Sequence, residues 1–387
     1  MFSDRTDWKL TRNRLTETLD EVRARGARVL DLTLSNPTRA GLHYDEPRIL
    51  QSLASPQAMD YDPQPKGLPS ARSAVADYYQ AEHGIKVNPE RVILTTSTSE
   101  GYSFVFRLLC NPGDELLVPK PSYPLFEFLA DLQDVKLMPY LLIYDHGWQM
   151  DFPSLRNAVT KRTRGVIVVH PNNPTGSYVQ AQERVALGGF CQEHELALIS
   201  DEVFLDYAHN EAPQPSFAAH EDVLSFTLSG VSKISALPQM KVAWILTGGP
   251  SALAEAAQAR LEVIADTYLS INAPIQWATR ELLHQRHNIQ RQLLGRVLAN
   301  LAELDRQLAR QKTCQRLSVE GGWYAVLRVP VTRTDEELAV DLLRHKSVLV
   351  HPGHFYDFPS DGYLVLSLIT QQADFAEALQ RVLEMNF

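Results

Sequence analysis

Five loops carry the residues whose types and spacing are best suited to chemistry, and each loop follows a short apolar run. In chain order they read TTSTSEG, PKPSYP, HPNNPTG, SDEVF and SGVSK. Taken singly, each has an ordinary structural explanation, because Ser and Thr cap helices, NPTG forms turns and a lone lysine is usually a solvated surface residue. Their shared position after apolar runs, in this order, predicts one site built from all five.

Together the five loops provide the groups that pyridoxal 5'-phosphate (PLP) requires. A partly desolvated lysine amine can attack the aldehyde of the cofactor. A buried carboxylate can keep the pyridine nitrogen protonated, so that the ring accepts electrons. Hydroxyls and backbone N–H groups at a helix N-terminus, with a cation, suit the phosphate. An aromatic face suits the ring, and a hydrogen-bond donor suits its phenolic oxygen.

The apolar runs between Val92 and Gly248 predict the sheet that positions these loops. They are short and rich in Val, Ile and Leu, and helical stretches separate them. This alternation is typical of an α/β fold with a mostly parallel sheet, in which ligands bind beyond the carboxyl ends of the strands. After about Gln276, long charged helices and shorter strands predict a second, smaller α+β domain. The runs are VILTT, ELLVP, GVIVVH, LALIS, VLSFTL and VAWILTG.

Composition excludes several classes of protein. The 387 residues carry a formal net charge of −9, which argues against broad binding to nucleic acid or to anionic membranes. Three widely spaced cysteines predict neither a disulfide framework nor a metal site. His351 and His354 lack ligand-type neighbours at suitable spacing, so no metal is expected. The charged N-terminus does not resemble a signal peptide. We therefore expect a cytoplasmic enzyme that acts on small molecules.

Four stretches resemble the PLP-dependent aminotransferases of class I/II, the aspartate aminotransferase superfamily of fold type I. The resemblance covers the chain from about residue 30 to its end and rests on YDPQPKGLPSARSAVADYY, HPNNPTG, ALISDEVF and SGVSKISALPQMKVAW. It implies a three-layer α/β/α large domain with a mostly parallel seven-stranded sheet, and a smaller α+β domain. We expect an N-terminal segment (1–45) packed with the small domain, a large PLP-binding domain (46–275) and a small C-terminal domain (276–387).

The same resemblance implies an aminotransferase (EC 2.6.1-like) that moves an amino group from an amino acid to a 2-oxo acid. Lys233 would carry PLP as a Schiff base and move a proton during catalysis. Asp201 would pair with the pyridine nitrogen, and Tyr123 would stack on the ring; with Lys233 these two complete the catalytic set. Asn173 would bind the phenolic oxygen and border the substrate. The phosphate would be bound by Ser97, Thr98, Ser99, Ser232 and Lys241.

The resemblance also implies a homodimer with shared active sites. Tyr61 would reach the phosphate in the neighbouring subunit, and Ser270 occupies a similar cross-subunit position. Asn36 and Arg39 belong to the loop SNPTR, which in relatives lies beside the substrate. We therefore assign both to the substrate side of the site.

Three residues depart from the family pattern. Phe204 stands where a tyrosine usually contacts the phenolic oxygen, and Lys241 stands where arginine is commoner. Val365 lies at or beside the position of an arginine that binds the substrate carboxylate in relatives. Either another cation replaces it, with Arg39 preferred over Arg328, or the substrate is unusual.

Other functions compete with transamination. β-Elimination or decarboxylation on the same Schiff base is compatible with the fold, because a fold does not determine a reaction. A cofactor-binding regulator usually carries a DNA-binding module before such a domain, whereas only about thirty residues precede the first strand here. No G-x-G-x-x-G follows a strand and no G-x-S-x-G occurs, so neither a nicotinamide-dependent dehydrogenase nor a hydrolase is favoured.

Overall fold

The computed structural model describes residues 1–8, 10–210, 214–269 and 271–385, and Ser270 lies outside them. Its α-helices are α1 (Arg14–Ala24), α2 (Glu46–Ser52), α3 (Pro69–His83), α4 (Thr98–Leu109), α5 (Phe126–Asp131), α6 (Phe152–Ala158), α7 (Ala181–Glu193), α8 (Val231–Ile234), α9 (Ser251–Tyr268), α10 (Ala273–His284), α11 (Arg286–Leu308), α12 (Asp335–Lys346) and α13 (Gln372–Leu383). Its strands are β1 (Leu30–Asp31), β2 (Val92–Thr95), β3 (Glu115–Lys120), β4 (Lys136–Tyr144), β5 (Trp148–Met150), β6 (Thr163–Val169), β7 (Ala197–Asp201), β8 (Ser225–Gly230), β9 (Ala243–Gly248), β10 (Gln315–Arg316), β11 (Tyr324–Arg328), β12 (Val348–Leu349), β13 (His351–Pro352) and β14 (Tyr363–Ser367).

The larger sheet confirms the predicted α/β class, and all six apolar runs form strands in it. Across the described residues its strand order is β2-β9-β8-β7-β6-β3-β4-β5. Neighbours from β8 to β4 run parallel, whereas β9 runs antiparallel to β2 and β8. The sheet has eight strands where seven are expected from the resemblance. The difference is accounted for by β5, which turns back to pair with the end of β4.

Helices cover both faces of this sheet. In β6, Ile167 and Val169 pack with α4, α5 and α9, whereas Val166 and Val168 pack with α6 and α7 on the opposite face. The second face is continued by α3 and α10, which pack against Trp244 of β9. Side chains alternate between the two faces of a strand, so an uninterrupted apolar run is buried on both sides.

A smaller antiparallel sheet packs with both ends of the chain. Its strand order is β10-β11-β14-β13, and β1 pairs separately with β12 in parallel. Leu15 and Val22 of α1, together with Leu30 of β1, share one apolar core with α11, α12 and α13. The segment from α1 to β1 is thereby held against the C-terminal third of the chain, whereas Trp8 contacts Phe128 and Asp131 of α5.

Among the described residues, no helix combines the length and the apolar character needed to cross a bilayer.

Candidate active site

A cavity of about 300 Å³ lies at the carboxyl edge of the larger sheet. The segments that follow β2, β3, β6, β7 and β8 all reach it, as the ends of parallel strands should. Nine of the residues singled out from the sequence line this one cavity: Ser97, Thr98, Ser99, Tyr123, Asn173, Asp201, Ser232, Lys233 and Lys241.

The serine and threonine hydroxyls gather where α4 begins. Ser97 is the N-cap residue, and its side chain accepts a hydrogen bond from the Glu100 backbone N–H at 3.2 Å. Gly101 allows the helix to approach the sheet closely, because a Cβ there would lie 2.9 Å from a methyl carbon of Leu228. The free N–H groups of a helix N-terminus attract anions. This end of the cavity is therefore suited to a phosphate.

The Lys233 amine lies in an apolar part of the cavity. Its Nζ is 5.0 Å from the ring centroid of Trp323 and 5.5 Å from that of Phe204. Burial lowers the pKa of this amine to about 8, although the charge of Asp201 opposes the shift. The backbone is held by Tyr207, whose hydroxyl donates a hydrogen bond to the Lys233 carbonyl oxygen at 2.7 Å. The result is a fixed lysine that loses its proton far more readily than an exposed one.

Asp201 ends β7 as a buried carboxylate. Its Oδ1 accepts a hydrogen bond from the Val203 backbone N–H at 3.1 Å, and its Oδ2 accepts one from the Tyr102 hydroxyl at 3.0 Å. Burial raises the pKa of Asp201 to about 6, and the two hydrogen bonds and the Lys233 charge oppose that shift. The carboxylate is therefore ionised at neutral pH, and it is the acidic side chain among the described residues that line the cavity.

Asn173 and Tyr123 supply neutral polar atoms to the cavity. The Asn173 amide oxygen is buried without a hydrogen-bond partner among the described residues. A buried unpaired amide oxygen costs free energy, so a ligand that donates a hydrogen bond to it gains affinity. The Tyr123 ring packs edge-on against Phe126, with centroids 5.7 Å apart, and burial raises the pKa of its phenol to about 12. Its hydroxyl is thus protonated across the physiological pH range.

Three predicted residues do not line the cavity. Tyr61 lies on the surface with 77% of its area exposed. Asn36 caps the turn at Pro37–Arg39, where its Oδ1 accepts hydrogen bonds from the backbone N–H and the hydroxyl of Thr38. Arg39 is exposed to solvent.

The part of the cavity wall that sequence reasoning missed comes from outside the five loops. Ser35 directly precedes Asn36, and Tyr324 begins β11. Tyr102 was also missed, because its position in the apolar stretch GYSFVF indicates a core residue. Only the hydrogen bond to Asp201 distinguishes it from its neighbours. A polar hydroxyl one helical turn beyond the cap residues is the signal that was available.

The predicted departure at Val365 agrees with the geometry of the small sheet. Val365 is 1% exposed and lies between Val326 of β11 and His351 of β13. The Arg328 guanidinium lies over the rings of Tyr144 and Tyr363 and does not line the cavity. Of the described residues that line the cavity, those with a cationic side chain are Lys233 and Lys241.

His351 belongs to an aromatic cluster at the edge of the small sheet. Its Nδ1 lies 3.0 Å from the Tyr356 hydroxyl, and burial lowers the pKa of the imidazole to about 4. No cluster of three or more His, Cys, Asp or Glu side chains in the described ranges has the arrangement of a metal site.

A buried amine, a buried carboxylate and a hydroxyl-lined helix N-terminus meet at one sheet edge, an arrangement that suits a PLP-dependent enzyme of fold type I. The family model "Aminotransferase class I and II" matches residues 27–382, and the chain belongs to that family. An alanine aminotransferase from Mycobacterium tuberculosis is 28% identical over 370 residues, which cover 93% of this chain and 86% of the relative. The glutamate-pyruvate aminotransferase AlaA of Escherichia coli is 27% identical over 352 residues, 89% of this chain and 87% of the relative.

Solved structures show the same fold. An aminotransferase from Escherichia coli superposes with a TM-score of 0.88 at 25% identity, covering 98% of this chain and 96% of that one. An alanine aminotransferase from Pyrococcus furiosus gives 0.90 at 22% identity, with 98% of each chain covered. The protein is a PLP-dependent aminotransferase, and the alternative lyase or decarboxylase reactions are not favoured.

Proposed function

We propose that the cavity at the carboxyl edge of the larger sheet is the active site, with Lys233, Asp201 and Tyr123 as its catalytic residues. The observation that carries this proposal is the convergence on one cavity of nine side chains that were predicted from the sequence and come from separate loops. They come from loops spread over 145 positions of the chain, from Ser97 to Lys241 when both ends are counted. Structural roles in turns and caps would not require them to meet.

The residues present fit the chemistry of PLP. When bound, PLP supplies an aldehyde that captures amino groups and a pyridine ring that accepts electrons. Asn173 lines the cavity and its amide NH₂ group can donate to the phenolic oxygen, and Asp201 provides an ionised carboxylate for the pyridine nitrogen. Ser97, Thr98 and Ser99 surround the N-terminus of α4, and Ser232 and Lys241 add a hydroxyl and a positive charge for the phosphate.

Lys233 acts as nucleophile and as proton carrier in this proposal. With a pKa of about 8, roughly a quarter of the amine is neutral at pH 7.5, whereas an ordinary lysine is about 0.1% neutral. The neutral amine would hold the cofactor through its aldehyde carbon and, once displaced by substrate, would accept the proton from the substrate α-carbon and deliver it to the former aldehyde carbon. The faces of Trp323 and Phe204 exclude water from Nζ, which keeps that proton on its path.

Asp201 holds the pyridine-nitrogen proton. The ionised carboxylate stabilises positive charge at the nitrogen, and burial strengthens the interaction because the local dielectric is low. Tyr123 is proposed to lie against the ring of the cofactor, a role that its place on the cavity wall supports. Phe204 cannot donate to the phenolic oxygen. Asn173 is therefore proposed to carry more of that interaction than it would if a tyrosine stood at position 204.

The substrates are proposed to be an amino acid and a 2-oxo acid. Relatives are named for alanine, for glutamate and pyruvate, and for aspartate and prephenate, so small and acidic amino acids are the first to test. Asn36 and Arg39 are proposed for the substrate side, together with Asn173. Their support is proximity, because Ser35, their neighbour in the same loop, lines the cavity.

A homodimer with shared active sites is also proposed. Large apolar side chains are exposed on the surface, among them Met59, Tyr61, Tyr268 and Leu269. Exposed apolar surface of this kind is typical of an interface. Tyr61 is proposed to contact the partner's phosphate. In a mixed dimer of a Lys233→Ala subunit and a Tyr61→Phe subunit, one site should combine an intact Lys233 with an intact Tyr61 from the other subunit. Activity of the mixture above that of the two separate variants is expected; no such gain would contradict sharing.

The proposed organisation keeps three parts: residues 1–45, 46–275 and 276–387. The shared core of α1 and β1 with α11 to α13 supports packing of the first segment on the last. α10 crosses the second boundary, and its side chains pack against the larger sheet.

A cytoplasmic location is proposed because Cys110, Cys191 and Cys314 are free thiols.

The decisive experiment is chemical labelling of the cofactor lysine. The purified protein is loaded with PLP, reduced with borohydride, digested and mapped by mass spectrometry. The modification is expected on Lys233, and reduction of the unloaded protein is the control. A label on another lysine, or on none, would remove the proposed site. Screening amino acids for bleaching of the yellow chromophore then identifies the amino donor.

A further inference from the structure

Tyr102 reaches the proposed active site from behind the Asp201 carboxylate. It lies in α4 with 1% of its area exposed, and its hydroxyl donates a hydrogen bond to Asp201 Oδ2 at 3.0 Å. Its ring packs edge-on against Phe126 and is tilted against Phe106, with centroids 5.2 Å and 5.7 Å away. These contacts fix the ring, so the hydroxyl has one partner and one direction.

The two donors on Asp201 come from different elements and hold different oxygens. Val203 donates from the backbone to Oδ1, and Tyr102 donates from α4 to Oδ2. An ionised carboxylate has about four acceptor sites, so each oxygen can still accept another bond. The same α4 that carries Tyr102 begins at Ser97, Thr98 and Ser99. One short helix therefore contacts both the phosphate end of the cavity and the carboxylate.

We infer that Tyr102 is a positioning residue that keeps Asp201 ionised and oriented toward the pyridine nitrogen of PLP. The inference rests on the proposed role of Asp201. A buried carboxylate with two donors favours its charged form, and removal of one donor favours protonation. The proton shared between carboxylate and nitrogen then moves toward the carboxylate, and the ring becomes a poorer electron acceptor.

The surroundings leave the Tyr102 hydroxyl as the donor in this bond. Burial, together with the Asp201 charge, raises the pKa of Tyr102 well above its usual value. The other groups that interact with the Asp201 carboxylate are Lys233 from α8 and Tyr123 from the loop after β3. Lys233 would be covalently linked to the cofactor, so its charge would not be constant, whereas the hydrogen bond from Tyr102 to Asp201 does not depend on that link.

The test compares Tyr102→Phe with Tyr140→Phe. Tyr140 is equally buried, and its hydroxyl donates to the Ile167 carbonyl oxygen at 2.9 Å, outside the active-site cavity. Both variants remove one buried hydroxyl and keep the ring, so their melting temperatures report the shared structural cost. PLP affinity is measured by titrating apo-protein, and the protonation of the cofactor by ¹⁵N NMR of PLP labelled at the pyridine nitrogen.

Tyr102→Phe is expected to weaken PLP binding about tenfold and to shift the ¹⁵N resonance toward the unprotonated position. Tyr140→Phe should change neither. In an Asp201→Asn background, Tyr102→Phe should have little further effect, because it acts through the carboxylate. Wild-type affinity and resonance position in Tyr102→Phe would overturn the inference and leave the active site intact. Failure of wild-type protein to bind PLP at Lys233 would instead reject the site itself.

Discussion

The two sides of the active-site cavity are built by different parts of the chain. The ends of β7 and β8 contribute Asp201 and Lys233, both charged, buried and placed at one edge of a rigid sheet. The opposite side receives Ser35 and Tyr324 from the N-terminal segment and the small antiparallel sheet. These are neutral hydroxyl groups. We propose that cofactor chemistry belongs to the sheet edge and that the substrate meets the less charged surface.

This difference shows how a common reaction and an individual specificity can coexist in one fold. Groups at parallel strand ends are fixed relative to one another by the hydrogen bonds of the sheet, so their geometry changes little. The other side is assembled from segments far apart in the chain, so its residues can vary without disturbing the larger sheet. Substitutions on the two sides should therefore have separable effects.

The largest effect is expected for Lys233→Ala. Loss of the nucleophile and proton carrier should lower kcat at least about 10³-fold and abolish the borohydride-stable label. The control is Lys136→Ala, because Lys136 is an exposed lysine on β4. Steady-state assays with the amino donor found by screening measure the effect. Turnover within tenfold of wild type in the Lys233 variant would contradict the assignment of the sheet edge to catalysis.

A somewhat smaller effect is expected for Asp201→Asn. The amide keeps the size of the side chain and removes its charge, so the pyridine nitrogen loses its ionic partner. We expect kcat to fall about 10²-fold, with PLP still bound. Single-turnover absorbance measurements separate loss of chemistry from loss of cofactor. An unchanged rate with bound PLP would show that another group holds the nitrogen proton.

The cofactor side was predictable from sequence because its signal is local. Each group follows a short apolar run, and parallel strands bring the ends of such runs together. All six runs form strands, and Asn173, Asp201 and Lys233 line one cavity. A few residues around each position were sufficient to predict its place in the cavity.

The other side was not predictable in the same way, because its residues depend on packing between distant segments. Tyr324 reaches the cavity because β11 pairs with β14 in a sheet whose position depends on the whole C-terminal part of the chain. Tyr102 looks like a core residue in sequence, and its bond to Asp201 spans 99 positions. The hydroxyl one helical turn beyond the cap residues was a local signal, but nothing local identifies Asp201 as its partner.

A moderate effect on KM is expected for Arg39→Ala. This variant tests the less charged side of the cavity. If Arg39 assists substrate binding, KM should rise about tenfold while PLP affinity stays unchanged. Arg328→Ala is the matched control, because the Arg328 guanidinium lies over Tyr144 and Tyr363 and does not line the cavity. Equal KM values for both variants and wild type would remove Arg39 from the substrate site.

The smallest effect is expected on the free energy of unfolding of apo-protein when Lys233 is replaced by methionine. It compares the two sides of the cavity through stability. The pKa of Lys233 falls from 10.5 to about 8 on folding, so the unfolded chain binds more protons between these values. Above pH 10.5 the amine is neutral in both the folded and the unfolded chain, and it carries no penalty. As the pH falls from 10.5 to 8 the free energy of unfolding decreases, because the unfolded chain gains a proton that the folded chain does not. At pH 7 the buried ammonium destabilises the fold, and its replacement by methionine should stabilise apo-protein by about 1–3 kcal/mol.

The sign of this effect gives its test. The advantage of Lys233→Met over wild type should shrink as the pH rises from 8 toward 10, as measured by chemical denaturation of apo-protein at each pH. Tyr324→Phe is the control, and its stability difference from wild type should stay constant from pH 8 to about 9, because burial keeps the folded phenol protonated and the unfolded phenol ionises only near pH 10. A pH-independent advantage for the methionine variant would mean that packing, not charge, is responsible. The sheet edge would then lack the electrostatic cost that distinguishes it from the neutral side.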